Sequence, residues 1–182
     1  MAKSVRLMIK NVRCNFPKLY VAEEFKGKKN YSIGLLIPTG SPIIEQIEKA
    51  AKESIGAQYP GKVEAMFKRF KGSRNTWPIR ELDDDTFIVS PKRKEENGAP
   101  IVMDQKKNLL PADSGLPYAG CWVNASVDVF CYNKEGGGVT MYLNGVQLVK
   151  EDAPLSGVVP ATACKDDFDA IDDMPEDNSD LL

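Results

Sequence analysis

Three stretches carry residues whose types and spacing could do chemistry. The first is Asp83-Asp84-Asp85, with Asp104 further on. Clustered carboxylates are what a metal-dependent nuclease uses to hold its cations. Consecutive residues alternate direction on a strand, however, so three in a row cannot converge on one ion. Placed before the apolar run Thr86 to Ser90, they read as an acidic turn. The second is Gly56 to Val63, GAQYPGKV, which nearly matches the phosphate-binding loop G-x-x-x-x-G-K-[ST]. It ends in Val, which cannot ligate magnesium, and it follows a helical pattern rather than a strand. The third is the basic segment from 60 to 80. Lys62, Lys68, Arg69, Lys71, Arg74 and Arg80 are interleaved with Phe67, Phe70 and Trp77, and Glu64 is its one acid. That composition suits a phosphate track with stacking platforms, and equally a solvated face whose rings turn into the core.

The chain has no histidine and no C-x-x-C pair. Imidazole-dependent catalysis and most zinc sites are thereby excluded. Of its four cysteines, Cys121 and Cys131 lie about 30 Å apart along one extended segment and cannot bridge. The expectation is a binding protein with no catalytic residue, no metal and no cofactor.

The element that positions these residues is the stretch Tyr118 to Lys150. Cys121, Val123, Ala125, Val127, Val129 and Cys131 alternate with Trp122, Asn124, Ser126, Asp128, Phe130 and Tyr132. A period of two makes this one long strand with an apolar face and a polar–aromatic face. Gly136 to Gly138 turns the chain back. The second arm alternates through Val139, Met141 and Leu143, then shifts parity to Val146 and Leu148 across Asn144-Gly145, the signature of a bulge. A long bent hairpin of this kind belongs to a curved antiparallel sheet or small barrel.

Before it, a strand is expected from Ser4 to Cys14, ended by Phe16 to Tyr20, and a second from Tyr31 to Ile37. Between them lies a turn with Lys26, Lys28 and Lys29. Ser41-Pro42 opens a helix with Ile44, Ile47, Ala51 and Ile55 as its buried stripe and Gly56 as its stop. Val63 to Phe70 fits a short helix. Pro91 to Pro100 reads as a charged loop carrying Lys92, Arg93 and Lys94, Ile101 to Asp104 as a short strand, and Lys106 to Pro117 as a further loop.

At 182 residues the chain suits one domain with extensions. The net charge of −2 hides a division. Residues 166–182 hold eight acids and no base, whereas the first 165 hold all 24 Lys and Arg against 18 acids. Residues 1–150 form the expected domain, 151–165 a linker rich in Pro and small residues, and 166–182 a disordered acidic tail. In that tail Asp166, Asp167, Asp169, Asp172 and Asp173 surround Phe168 and Ile171, and Leu181-Leu182 close it. Acids punctuated by apolar anchors suit partner docking. No apolar run approaches the ~20 residues of a membrane span. The N-terminal MAKSVRLMIK lacks the features of a signal peptide, which points to a cytosol.

About six strands, one or two helices, basic aromatic surfaces and an acidic tail are the layout of an OB-fold binder of single strands. The stretches LMIKNVRCNFPKLY, NYSIGLLIP and YAGCWVNASVDVFCYN…GGGVTMYLNGVQLVKE resemble a family of bacteriophage single-stranded DNA-binding proteins. The resemblance spans nearly the whole chain. It implies an OB-fold-like small antiparallel barrel, a role in phage replication or recombination in the cytoplasm of a bacterial host, and a tail that docks replication enzymes such as polymerase, helicase or primase. A homodimer is compatible with it. From charge and ring placement, Lys28, Lys29, Arg69, Lys71, Arg74, Lys92, Arg93 and Lys106 are the expected phosphate contacts. Tyr20, Trp77, Trp122 and Tyr132 are the expected stacking rings. Two other classes stand beside this reading: a nuclease or recombination enzyme using Asp83 to Asp85 or Asp104, and a structural phage assembly protein.

Overall fold

The computed structural model describes residues 2–156 and 165–171. Eight strands and two helices follow in the order β1 (Ser4–Phe25), β2 (Lys28–Pro38), α1 (Pro42–Gln58), α2 (Val63–Lys71), β3 (Ile79–Asp83), β4 (Thr86–Val89), β5 (Lys92–Lys94), β6 (Ile101–Met103), β7 (Trp122–Tyr132) and β8 (Gly138–Lys150). Alternation does on β7 what the pattern requires: Val123, Ala125, Val127, Val129 and Cys131 are buried, and the residues between them are half-exposed. On β8 the register slips between the pairs Ser126↔Gly145 and Val127↔Leu143, so Asn144 is the extra residue of a bulge.

The strands close a ring. β1 pairs with β2 and β7, β7 with β8, β8 with β5, and β5 with β2. This is the connectivity of the five-stranded OB fold. The β3–β4 hairpin is added to β2, and β6 runs parallel along β8. The joint between β5 and β8 is also parallel and consists of one residue pair, Lys92↔Tyr142. The architecture is therefore mostly β and OB-like, with two parallel joints where antiparallel pairing alone was expected.

Inside the ring, Ile9, Val12, Ile33, Leu35, Val127 and Leu143 form the core. Helix α1 covers it with Ile47, Ala51 and Ile55; Ile44 is only half-buried. Ser41 caps α1 by accepting the Ile43 N–H at 3.2 Å, with Pro42 in the first turn. The helix passes through Gly56, and the Tyr59 N–H bonds the Ile55 carbonyl. Buried Ser54 donates to the Lys3 carbonyl and accepts the Cys131 N–H at 2.8 Å, tying α1 to the residue before β1 and to β7.

Three further differences from the sequence reading concern β1, β5 and residues 151–156. β1 does not end at Phe16-Pro17; it runs 22 residues because Asn11 (φ 55°) and Phe16 (φ 46°) bend it. The bends let it leave β7 after Arg13 and continue along β2. The charged loop from Pro91 contains β5, whose short KRK strand is held by β2 on one side and β8 on the other. Residues 151–156, expected as the start of a linker, are clasped to the ring end. The Trp122 indole N–H donates to Asp152 at 2.8 Å, the Tyr118 hydroxyl to the Asp152 carbonyl at 3.0 Å, and the Leu155 N–H to the Ala119 carbonyl at 3.0 Å. Arg13 donates to the carbonyls of Gly120 and Ala153. Residues 157–164 lie outside the described chain.

The decoy motifs resolve simply. Gly61 lies in the turn between two helices, so no strand-to-helix loop cradles an anion. Asp83 to Asp85 turn β3 into β4, with the Asp85 N–H bonded to the Asp83 carboxylate. Asp104 accepts the N–H groups of Lys106 and Asn108, both at 2.9 Å. Among the described residues, no group of three or more acidic or sulfur ligands is placed to hold a metal ion, and no helix is long and apolar enough to cross a membrane.

Candidate nucleic-acid interface

The outward face of the ring is set by strand parity. On β7 it carries Phe130 and Tyr132; on β8, Thr140 and Tyr142; on β5, Lys92, whose Cα partner is Tyr142. The Phe130 and Tyr142 rings meet with centroids 5.9 Å apart. Beside them the segment after α2 folds over the end of β8, where the Val139 N–H bonds the Thr76 carbonyl at 2.9 Å. The result is a groove of about 420 Å³ lined by Arg74, Arg80, Ile88, Lys92, Tyr132 and the edge of Trp77. A second hollow of about 640 Å³ adjoins it, lined by Lys94, Phe130, Tyr132, Lys134 and Tyr142. Tyr132 borders both.

The turn between β7 and β8 holds this wall in place. Gly137 has φ 84°, and a Cβ there would strike the Tyr59 hydroxyl, so glycine alone fits against Tyr59 and Phe70. Arg69 reaches the same turn; its guanidinium would stand 3.5 Å from a Cβ at Gly136.

Electrostatics favour an anion along this face. Arg74, Arg80, Lys92 and Lys134 are exposed and, among the described residues, have no carboxylate within ion-pair distance; Lys94 shares Glu96 at 3.9 Å. Asp128 shares the face, but Arg6 donates to it at 2.9 Å and holds its carboxyl below the usual range. Burial raises the Tyr132 phenol, so the ring stays neutral beside the phosphates it would meet. Exposed cations flanking partly exposed rings can hold a sugar–phosphate backbone while the rings stack its bases. Burial pushes the Cys14 thiol to about 12 and the Cys131 thiol to about 11, leaving both protonated at neutral pH.

Of the residues expected from sequence, the fold brings Arg74, Lys92 and Tyr132 together in the groove. Lys28 and Lys29 border a neighbouring hollow with Lys94, and Arg69 stands at the turn. The rest are elsewhere. Trp77 is 7% exposed and packs edge-on to Phe67 at 5.4 Å, so it is a core ring under the groove. The Tyr20 hydroxyl donates to the Leu116 carbonyl at 2.6 Å, with the Leu110 carbonyl at 3.1 Å, and its ring packs on the core. The Arg93 guanidinium donates to the carbonyls of Asn97, Gly98 and Leu143, which makes it a clip for the loop after β5. Lys71 pairs with Glu48 at 2.7 Å. Lys106 sits in the Asp104 loop beyond β6. Trp122 lies ten residues from Tyr132, about 30 Å along β7, with Asp152 on its indole and Lys150 over its ring at 5.1 Å. In the tail, Phe168 and Ile171 are exposed at 75% and 83%; Asp166, Asp167 and Asp169 are exposed too. Asp172, Asp173, Leu181 and Leu182 lie outside the described residues.

Sequence reasoning did not single out Phe130, Tyr142, Lys94 and Lys134 for this face, and placed Arg80 only within the basic segment. Phe130 shared the parity of Tyr132, and Tyr142 held the outward position of the second arm, so both signals were present. The convergence of Arg80 and Lys134 depends on topology.

Comparison with known proteins gives the family and the fold. Residues 5–180 match the family described as Enterobacter phage Enc34, ssDNA-binding protein. A protein designated p50, from Acyrthosiphon pisum secondary endosymbiont phage 1, is 29% identical over 164 residues, covering 84% of this chain and 88% of the relative. Among solved structures, the single-stranded DNA-binding protein from bacteriophage Enc34 in complex with ssDNA superposes with a TM-score of 0.65 at 22% identity, over 82% of this chain and 89% of that one. The bacteriophage T7 single-stranded DNA-binding protein gp2.5 superposes with a TM-score of 0.55 at 16% identity, over 92% and 96% of the two chains.

Proposed function

The chain belongs to the family of the Enterobacter phage Enc34 single-stranded DNA-binding protein, and from that premise we propose that it coats single-stranded DNA through the groove beside Tyr132. The observation that carries this reading is the meeting of Arg74, Arg80, Lys92 and Lys134 with Phe130, Tyr132 and Tyr142 on one outward face. Cations on the rim take phosphates and rings take bases, with little preference among bases because every base has a π-face. The work is binding, not catalysis, and it belongs to phage replication or recombination in the host cytoplasm.

The acidic tail completes the proposal. Residues 1–150 bind DNA, and residues 166–182 dock a polymerase, helicase or primase and compete with DNA for the groove. The clasp at Asp152 fixes the exit point of the chain at the Trp122 end of β7. From Ser156 to Asp166 the chain spans at most about 35 Å, comparable with the about 30 Å between Trp122 and Tyr132 along β7.

A titration of single-stranded and duplex oligonucleotides at matched salt tests both parts. Single strands bind much more tightly, with affinity falling steeply as salt rises. Equal affinity for the two forms would reject the groove reading. Removal of residues 166–182 raises single-strand affinity most at low salt, since screening weakens a charged competitor. The same truncation abolishes capture of the replication partner.

A further inference from the structure

We propose that Phe25, at the tip of the β1–β2 hairpin, is a base-stacking platform that extends the single-strand track beyond the groove. The inference rests on the single-stranded DNA reading above and adds a binding residue to it.

Register places Phe25 on the same sheet face as the groove. Phe25 is the Cα partner of Lys28, and residues paired across antiparallel strands share a face. Two residues on, Asn30 pairs with Lys94, and Ser32 pairs with Lys92. Lys92 in turn pairs with Tyr142. The inward positions of β2 are Ile33, Leu35 and Ile37, all fully buried, so the even-numbered positions from Lys28 to Ser32 point outward. A row of outward side chains thus runs from Phe25 through Lys94 and Lys92 to Tyr142. By strand rise, Lys28 stands about 14 Å from Ser32. Lys94 joins the two regions physically, because it borders both the hollow with Phe130 and Tyr142 and the hollow with Lys28 and Lys29.

The tip itself is built to hold a ring outward. Lys26 (φ 51°) and Gly27 (φ 77°) form the tight two-residue turn whose twist matches the flanking strands. Phe25 is 67% exposed and belongs to neither the core nor the residues packed on it. The ammonium of Lys26 lies 5.3 Å from its ring centroid. An exposed Phe with a lysine on its ring, at a hairpin tip in line with a basic track, has the two functions single-strand binding requires: a stacking surface and a phosphate partner beside it.

The test compares wild type, Phe25→Ala, Phe25→Trp and Tyr132→Ala in the full chain. Labelled oligothymidylates of about 5 and about 15 nucleotides, the two ends of the site sizes OB folds show, report affinity by anisotropy. Phe25→Ala is expected to weaken binding of the long oligonucleotide about 5- to 100-fold, leave the short one unchanged and melt at the wild-type temperature. Phe25→Trp is expected to restore affinity and to show fluorescence quenching with the long oligonucleotide. If Phe25→Ala binds the long oligonucleotide like wild type while Tyr132→Ala weakens it, the tip assignment falls and the groove stands. If neither variant weakens binding, both readings fall. Equal weakening at both lengths would also overturn the placement of Phe25 at the far end of the track.

Discussion

The two ends of β7 carry the same kind of residue on the same outward face, yet they do different things. At one end, Tyr132 borders two hollows among Arg74, Arg80, Lys92 and Lys134, cations with no carboxylate partner among the described residues. At the other, Trp122 has its indole N–H bonded to Asp152 and Lys150 lying over its ring. Strand parity put both rings outside the core. Neighbours distant in sequence then left one ring beside unpaired cations, where we propose that it binds, and made the other a fastening for the chain that follows β8. An outward aromatic ring is a recognition residue only where cations surround it and nothing in its own chain already covers it.

The contrast can be broken at several points. The largest effect is expected at the ring beneath the groove. Trp77→Ala removes a buried indole and should destabilise the fold by about 3–5 kcal/mol, read by chemical denaturation, while the affinity of the folded fraction changes little. Next, Arg80→Glu combined with Lys92→Glu reverses two unpaired cations. Single-strand affinity should fall by about 3 kcal/mol, and the slope of log affinity against log salt should flatten by about 0.7 for each phosphate no longer neutralised. Tyr132→Ala is expected to cost about 1–3 kcal/mol of binding with a smaller effect on melting, whereas Trp122→Ala should leave affinity unchanged and loosen residues 151–156 to proteolysis. A fall in affinity at Trp122 equal to that at Tyr132 would erase the difference between the two ends. The smallest effect belongs to Asp152→Asn, visible only as easier cleavage after Lys150. The indole N–H holds the Asp152 carboxyl below its usual range. Its contribution is therefore present above the unfolded value near ~3.9 and is lost as pH falls through the lower folded value. Wild type should lose the bond between the Trp122 indole and Asp152 only in acid, and the Asn variant should show no such pH dependence.

Much of the frame was legible because it was local. The β7–β8 alternation, the bulge at Asn144-Gly145, the Ser41-Pro42 start of α1 and the acidic turn at Asp83 to Asp85 all depend on neighbouring residues, and all are present. What could not be read was made by partners far along the chain. β5 is three charged residues with no hydrophobic period, and it is a strand because β2 and β8 hold it. β1 continues past Pro17 because two left-handed residues let it change partner. The same limit applied to the interface. Charge and ring composition identified the basic segment after α1, but not that Trp77 would turn inward, that Arg93 would bind carbonyls of its own loop and of Leu143, or that Arg80 and Lys134 would line the two hollows on either side of Tyr132.

The joint between β5 and β8 has a mechanical consequence. The ring is closed there by a single residue pair, Lys92 and Tyr142, and both partners lie along the track assigned to DNA. The weakest closure is where a sheet should first breathe, so β5 amides should exchange with solvent earlier than those of β7. A strand of DNA laid across that seam would act as a suture, tying β5 to β8 through its own backbone. Occupancy would then register as slowed exchange in β5 and as a melting temperature that climbs with DNA concentration.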